Sequence, residues 1–285
     1  MFVFMISANE IGLYLIICYI LVPFKVDNFS NAKETMKLYK KKVVFFDIPV
    51  DAITMDETIE IIDDAIQKEK QLNHVVINAG KVVSMQKNLE LFNSVLSCDL
   101  INADGQSIVW ASRFLGQNIP ERVAGIDLMQ NLIELAYRKK YTCFFFGARE
   151  EVVKKVVDIY SDMYDRSVIA GYRNGYFDIK EEPVIAKTIA DSNANMLFVA
   201  MPSPHKENFM FKYRSILSGI NFNMGVGGSF DVIAGYTKRA PGWMQKLGLE
   251  WFYRFIQEPK RMWKRYLVGN SHFIYMVLKK KIQKK

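Results

Sequence analysis

The sequence lacks several features that define large classes of proteins. No apolar run reaches the roughly 18–20 residues that cross a bilayer, which excludes a multi-span membrane protein. Only three cysteines are present, Cys18, Cys98 and Cys143, and their wide spacing forms neither a disulfide framework nor a CxxC metal site. Such sparse use of cysteine favours a reducing compartment such as the cytoplasm.

Signature motifs of several enzyme classes are also missing. The chain has no GxGxxG dinucleotide fingerprint, no P-loop and no GxSxG nucleophile elbow. It has no Asp-x-Asp triplet, which is the usual carboxylate clamp for a metal-bound nucleotide sugar, and its three histidines have no second zinc ligand nearby. We therefore expect no metal site.

Charge is plentiful but unevenly distributed. The net charge of +8 divides into +11 over residues 235–285, which hold 13 Lys and Arg and two acidic residues, and −3 over residues 1–234. Tryptophan and tyrosine interleave with the basic residues of the C-terminal segment. Clustered cations indicate a polyanionic partner, either nucleic acid or an anionic membrane surface, and the aromatic residues favour the membrane.

Length and patterning predict one α/β domain with an addition at each end. Half of the 285 residues are hydrophobic and 24% are charged, as in a folded globular chain. Over residues 42–234, β-rich runs alternate with helical patterns, which predicts a Rossmann-like, mostly parallel sheet with helices on both faces. Residues 235–285 are interpreted as a basic helical appendage. Residues 1–41 form an apolar extension, either a weak membrane anchor or a mis-assigned start.

The residues that follow each predicted strand are candidates for a site, because ligands of an open parallel sheet bind at the carboxyl ends of its strands. Asp104 could act there as a general base or as the N-cap of the next helix, and its spacing alone favours the cap. Gly225, Gly227 and Gly228 could form a phosphate-binding loop or a tight turn. The other strand-end candidates are Asn78, Gly105, Gly147, Lys206 and Glu207.

Basic side chains outside the strand ends could bind phosphate. Arg122 lies in a loop between two predicted helices, where a guanidinium suits bidentate recognition of phosphate, although a surface arginine is the commoner outcome. In the C-terminal segment, Arg254, Arg261 and Arg265 are spaced by seven and four residues, and Lys264 adjoins them. These four side chains could form a solvated helix face or contact phosphate and lipid.

Taken in order, these motifs resemble the bacterial WecG/TagA/CpsF glycosyltransferase family. The similarity runs from about Val43 to Asn270, and residues 1–35 have no counterpart in it. The stretches that carry it are HVVINAGKVV (74–83), INADGQSIVWASRFLG (101–116), PERVAGIDL (120–128), FFFGAREE (144–151), GYF (175–177), MPSPHKE (201–207) and the long block 225–270, which begins GVGGSFDVIAGYTKRAPG.

The resemblance implies a metal-independent, inverting transfer of a sugar from a UDP-sugar to a polyprenyl-diphosphate-linked sugar. Family members transfer N-acetylmannosamine or related hexoses and build teichoic-acid linkage units and other cell-surface polysaccharides. The resemblance also implies that Asp104, in Ala-Asp-Gly, is the catalytic base rather than a helix cap. Arg122 matches the arginine of the family's Pro-Glu-Arg, and Asn78 matches its strand-end asparagine. Departures at Val76, Gly80-Lys81 and Lys206 leave the exact sugars open.

The resemblance also implies the partners and the location. We expect a UDP-sugar donor, a polyprenyl-diphosphate-linked acceptor and the anionic inner surface of the cell membrane, with no nucleic acid and no cofactor. The family allows a homo-oligomer that rearranges at the membrane. The expected location is peripheral, on the cytoplasmic face. The alternatives are an epimerase-like nucleotide-sugar enzyme, which would not need a basic aromatic tail, and a non-enzymatic polyanion-binding protein, which would carry a recognisable reading module.

Overall fold

The computed structural model describes residues 41–263 and 267–283. From Lys41 onward the chain forms one compact unit in which strands alternate with helices. The predicted apolar extension, residues 1–41, lies outside the described residues except for Lys41. The strands are β1 (Lys42–Phe45), β2 (Ile48–Asp51), β3 (Leu72–Ile77), β4 (Leu100–Ala103), β5 (Cys143–Gly147), β6 (Ile169–Arg173), β7 (Met196–Ala200) and β8 (Phe222–Gly225).

The helices of the described chain connect these strands and then continue beyond the last one. They are α1 (Met55–Gln67), α2 (Ala79–Met85), α3 (Leu89–Leu96), α4 (Gln106–Phe114), α5 (Gly125–Lys139), α6 (Glu150–Met163), α7 (Glu182–Asp191), α8 (His205–Lys212), α9 (Ser229–Ile233), α10 (Gly242–Lys246), α11 (Glu250–Gln257), α12 (Pro259–Trp263) and α13 (Gly269–Gln283).

Strands β3 to β8 form a six-stranded sheet in the order β4-β3-β8-β7-β5-β6, with every pairing parallel. Residues in β3, β5 and β7 are buried throughout, because helices cover both faces of the sheet. This arrangement confirms the predicted α/β fold. Because Ile77 pairs with Ala103, the carboxyl ends of β3 and β4 are level, and the residues that follow them lie side by side.

The N-terminal hairpin differs from the sequence-based expectation. The pattern predicts one strand, Val43–Phe46, whereas the structure has two antiparallel strands, β1 and β2, joined by Phe46 and Asp47. Both joining residues have positive φ, 50° and 63°, as a two-residue hairpin turn requires. The usual Asn-Gly signal is missing, and burial of the Phe46 ring against Phe45 and Phe273 stabilises the turn instead.

The C-terminal segment is helical, as predicted, and its last helix contributes to the core. In α13, Phe273 and Val277 are buried in the cluster that also holds Phe45 and Val82. The helix packs on α2, and Lys281 Nζ donates a hydrogen bond of 2.6 Å to the carbonyl oxygen of Phe114. The helix α13 therefore packs into the same core cluster as the β1–β2 hairpin.

Candidate active site

A pocket of about 300 Å³ opens at the carboxyl ends of β3, β4 and β8. The loops after these strands line it, together with residues of α11 and of the segments on either side of α10. The pocket therefore brings residues 76–126 together with residues 225–270 of the chain. The predicted site residues that line it are Asn78, Asp104, Gly105, Arg122, Gly225, Gly228 and Arg254.

Asp104 is fixed by backbone contacts from two elements. Its amide donates to the carbonyl oxygen of Ile77 at 2.9 Å, which ties the end of β4 to the end of β3. Its carboxylate oxygen Oδ1 accepts a hydrogen bond of 3.3 Å from the amide of Gly125, the first residue of α5. The N-cap of the following helix α4 is Gly105, so the helix-cap interpretation favoured by spacing alone is wrong.

The environment of Asp104 makes it a stronger base than an exposed aspartate. Burial raises the pKa of its carboxyl, and the nearby negative charge of Glu250 raises it further. The Arg122 guanidinium, the Gly125 amide and the Lys81 ammonium oppose this effect, but the pKa stays above its usual range. A carboxylate with a raised pKa, half-buried in a cleft, is suited to accept a proton from a bound hydroxyl.

Two arginines and two acids form an ion-pair network beside Asp104. Arg122 Nη1 lies 3.0 Å from Glu250 Oε2, and its Nη2 lies 3.9 Å from Asp127 Oδ2. Arg239 donates two hydrogen bonds to Asp127, of 2.6 Å and 2.7 Å, and its Nε lies 3.5 Å from Glu250 Oε1. This network concentrates two guanidinium groups, the donors best suited to a diphosphate, in the lining of the pocket.

The glycine segment after β8 brings backbone close to a third arginine. Gly227 has φ of +55°, a left-handed conformation that favours glycine, and Gly228 is the N-cap of α9. A Cβ on Gly228 would lie 3.1 Å from Nη2 of Arg254, so the guanidinium of Arg254 lies directly against this segment. Among the described residues, Arg254 Nε has no hydrogen-bond acceptor. The guanidinium and the glycine backbone together could bind an anionic group.

Comparison with known proteins decides the family. The model of the glycosyl transferase WecG/TagA/CpsF family matches residues 43–285. The chain belongs to this family. This result confirms the resemblance drawn from the motifs and establishes the protein as a glycosyltransferase, which excludes the non-enzymatic alternative and the epimerase-like one.

Two relatives of the glycosyltransferase carry the same name. One, from Bacillus subtilis (strain 168), is an N-acetylglucosaminyldiphosphoundecaprenol N-acetyl-beta-D-mannosaminyltransferase that is 40% identical over 199 residues, which cover 70% of this chain and 76% of the relative. The other, from Bacillus spizizenii (strain ATCC 23059 / NRRL B-14472 / W23), is 38% identical over 189 residues, which cover 66% of this chain and 72% of the relative.

Asn78 of the glycosyltransferase both lines the pocket and shapes it. Its side-chain oxygen accepts a hydrogen bond of 3.0 Å from the amide of Lys81 and so caps α2. A Cβ on Gly105 would lie 3.5 Å from that of Asn78, so the two strand-end segments are in contact across the floor of the pocket. This contact is consistent with a role in shaping the site.

Lys206 and Glu207, predicted as substrate-binding residues, lie behind the glycine segment and do not line the pocket. Both are buried, and Glu207 Oε1 lies 2.7 Å from Lys81 Nζ and 3.0 Å from Lys206 Nζ. Burial alone would raise the pKa of Glu207, but the two lysines outweigh it and hold the pKa at about 2. A Cβ on Gly225 would lie 2.7 Å from the Lys206 side chain, so this side chain packs directly against the glycine segment.

Gly147 also lies away from the pocket lining. It ends β5 with φ of +123°, and a Cβ there would lie 2.5 Å from the carbonyl oxygen of Ala200. The glycine allows β5 and β7 to approach closely at their carboxyl ends, so its place in the fold explains the residue type without a ligand.

The remaining predicted phosphate contacts lie in the C-terminal segment. The backbone of Arg261 belongs to α12, and its side chain lies outside the described part of the chain. Lys264 and Arg265 also lie outside the described residues. In the described ranges, no group of three or more His, Cys, Asp and Glu side chains is placed to hold a metal ion. Independence from metal stays a prediction.

Sequence reasoning missed three charged residues of the site: Asp127, Arg239 and Glu250. Asp127 reads as an ordinary acid in the first turn of a helix, and Arg239 as one of many basic residues in its segment. Glu250 carried a usable signal, because it is one of two acids among 51 residues that hold 13 Lys and Arg. An acid retained in such a segment indicates a specific cationic partner.

Proposed function

We propose that this glycosyltransferase moves an N-acetylmannosaminyl group from a UDP-sugar to a polyprenyl-diphosphate-linked N-acetylglucosamine, with inversion at the anomeric carbon. The observation that carries the proposal is the half-buried Asp104 carboxylate in a pocket that Arg122 and Arg239 also line. The two Bacillus relatives, named for an undecaprenol-linked acceptor and a mannosaminyl product, support the choice of sugars.

In the proposed reaction the carboxylate and the guanidinium groups act on opposite ends of the substrate pair. The acceptor hydroxyl gives its proton to Asp104 while its oxygen forms the new bond to the anomeric carbon. The bond from that carbon to the phosphate oxygen of UDP breaks with its electron pair, so negative charge grows on the leaving diphosphate. Arg122, Arg239 and Arg254 line the same pocket as Asp104, which supports a role for their guanidinium groups in neutralising this charge and so stabilising the transition state.

A panel of donors with a short-chain acceptor analogue tests the proposed substrates. The acceptor carries N-acetylglucosamine on a polyprenyl diphosphate, and the donors are UDP-N-acetylmannosamine, UDP-N-acetylglucosamine and UDP-glucose. We expect a β-linked disaccharide on the lipid from the first donor, at a rate that excess EDTA leaves unchanged. Transfer from another donor alone, or transfer that requires added Mn²⁺ or Mg²⁺, would contradict the proposal.

We also propose that the protein works peripherally at the cytoplasmic face of the membrane. Within residues 41–263 and 267–283, none of the helices combines the length and the apolar character that crossing a bilayer requires. The helices after β8 and the residues between them expose large aromatic and aliphatic side chains, which with the surrounding basic residues suit an anionic interface. These exposed side chains are Trp243, Leu247, Trp251, Phe252, Ile256 and Trp263.

A further inference from the structure

Glu250 is an acid of the basic C-terminal segment, and it lies between two guanidinium groups that line the pocket. As the first residue of α11, it lines the pocket and is 34% exposed. Its Oε2 accepts a 3.0 Å hydrogen bond from Arg122, and its Oε1 lies 3.5 Å from Nε of Arg239. Arg239 is held in turn by both oxygens of Asp127. One carboxylate of the C-terminal segment therefore contacts Arg122, in the loop before α5, and Arg239, in its own segment.

Arg122 makes its ion pairs away from the candidate base. They are formed with Glu250 and Asp127, and Asp104 forms no ion pair with any described residue. We propose that Glu250 is a positioning residue of the transfer reaction: it keeps Arg122 from neutralising Asp104 and thereby preserves the basicity of the reacting carboxylate. This inference rests on the proposed function, because it assigns Glu250 a role in the proton transfer to Asp104.

The charges around Asp104 give the direction of the effect. Removing the charge of Glu250 removes a like charge that raises the pKa of the Asp104 carboxyl. It also leaves Arg122 without its nearest carboxylate, so more of the guanidinium charge acts on Asp104. Both changes lower the pKa of Asp104 and weaken it as a base. The groups that act on the Asp104 carboxyl are Arg122, Glu250, the Gly125 amide and Lys81. Arg239 and Arg254 also line the pocket, and Asp127 pairs with Arg122.

The same geometry allows a competing role, in which the Glu250 carboxylate occupies the position where the two arginines would bind the donor diphosphate. Each of its oxygens faces one guanidinium, as two phosphate oxygens would. A competitor of this kind would weaken donor binding without changing the basicity of Asp104. The two roles differ in what they change, since one alters the pH dependence of kcat and the other alters KM for the donor.

Glu250→Gln separates the two roles, with Glu258→Gln, the other acid of the segment, as the matched control. The measurement is kcat and donor KM across a pH series, with the short-chain acceptor in excess. For Glu250→Gln we expect the acid limb of the kcat–pH profile to move to lower pH. The plateau kcat should fall about threefold to tenfold, because the base is weaker. The donor KM should change little. Glu258→Gln should keep the wild-type pH profile.

A second variant distinguishes loss of the Glu250 charge from a disturbance of the local structure. Glu250→Asp retains the charge on a shorter side chain, so it should return the acid limb toward the wild-type position even if the plateau stays low. An unchanged limb in Glu250→Gln, or a lower donor KM with unchanged kcat, overturns the inference. If Asp104→Asn is inactive while Glu250→Gln behaves as wild type, this inference alone fails, whereas an active Asp104→Asn overturns the proposed function itself.

Discussion

At the scale of single residues, Arg122 is the cation that the proposed reaction needs most, because it lies in the same pocket as the candidate base Asp104. Its side chain is only 14% exposed, and carboxylates on α5 and α11 orient it. A preoriented cation in a partly dehydrated cleft stabilises developing negative charge more than a mobile surface cation does, because the site does not have to reorganise during the reaction. Arg122 should therefore matter more for turnover than for stability.

We expect Arg122→Ala to lower kcat by about 10²–10³-fold, the usual cost of removing one preorganised charge-stabilising donor. The measurement is UDP release with saturating donor and acceptor. Arg138→Ala is the matched control, because Arg138 is an exposed arginine of α5 that pairs with Glu134 on its own helix. Loss of activity in the control, or near-wild-type turnover in Arg122→Ala, would show that Arg122 has no special role.

Sequence motifs predicted Asp104, Arg122 and Asn78 as site residues, because each lies at a strand end or in a short motif that carries the resemblance, and all three line the pocket. The network around them could not be predicted in the same way. Arg122 and Glu250 are 128 residues apart, and Arg239 lies 112 residues from Asp127. Contacts at such separations depend on how the C-terminal segment packs, and no local pattern encodes that packing.

At the scale of elements, local sequence patterns predicted where helices occur better than where one helix ends and the next begins. The pattern over residues 81–96 predicts one helix, whereas the structure has α2 and α3, with Asn88 as the N-cap of the second. The Asn88 side chain accepts a hydrogen bond of 2.9 Å from the amide of Leu91. An asparagine inside an apolar periodic run is a cap signal in its own right, because its side chain competes with the helical backbone.

The last helix provides a direct test of how the C-terminal segment is held. Phe273 is 4% exposed in the cluster with the β1–β2 hairpin, whereas its neighbour Ile274 is 57% exposed. We expect Phe273→Ala to lower the free energy of unfolding by about 3–5 kcal/mol, the usual cost of removing a buried phenyl ring. Ile274→Ala should change it little. Chemical denaturation of the two variants makes the comparison, and equal stabilities would show that α13 is not part of the core.

At the scale of the whole molecule, charge and exposed aromatics are concentrated on the same segment. Residues 235–285 carry +11, whereas residues 1–234 carry −3. An anionic surface attracts each nearby basic residue by about 1 kcal/mol, and this attraction weakens as salt shortens the screening length. The molecule should therefore approach a membrane with the C-terminal segment, part of which lines the pocket, rather than with the remainder of the described residues.

Flotation with vesicles tests this orientation. We expect the protein to float with vesicles that contain phosphatidylglycerol, to float much less with pure phosphatidylcholine, and to dissociate as salt is raised. Adding the Trp251→Ala and Phe252→Ala changes together should weaken binding without changing its salt dependence, because they remove apolar contacts and leave the charges in place. Equal binding to both vesicle types, insensitive to salt, would contradict an electrostatic docking surface.

The proposed reaction depends on Asp104 accepting the proton of the attacking hydroxyl. The most direct test is the initial rate at which the lipid-linked disaccharide forms from UDP-N-acetylmannosamine, for wild type and for Asp104→Asn. The control is Asp191→Asn, which changes an exposed aspartate that pairs with Lys187. We predict that Asp104→Asn keeps the shape of the site and binds the donor almost as well as wild type. It should form product about 10²–10⁴-fold more slowly. Asp191→Asn should match wild type in both measurements. Product formation by Asp104→Asn near the wild-type rate would show that Asp104 is not the base.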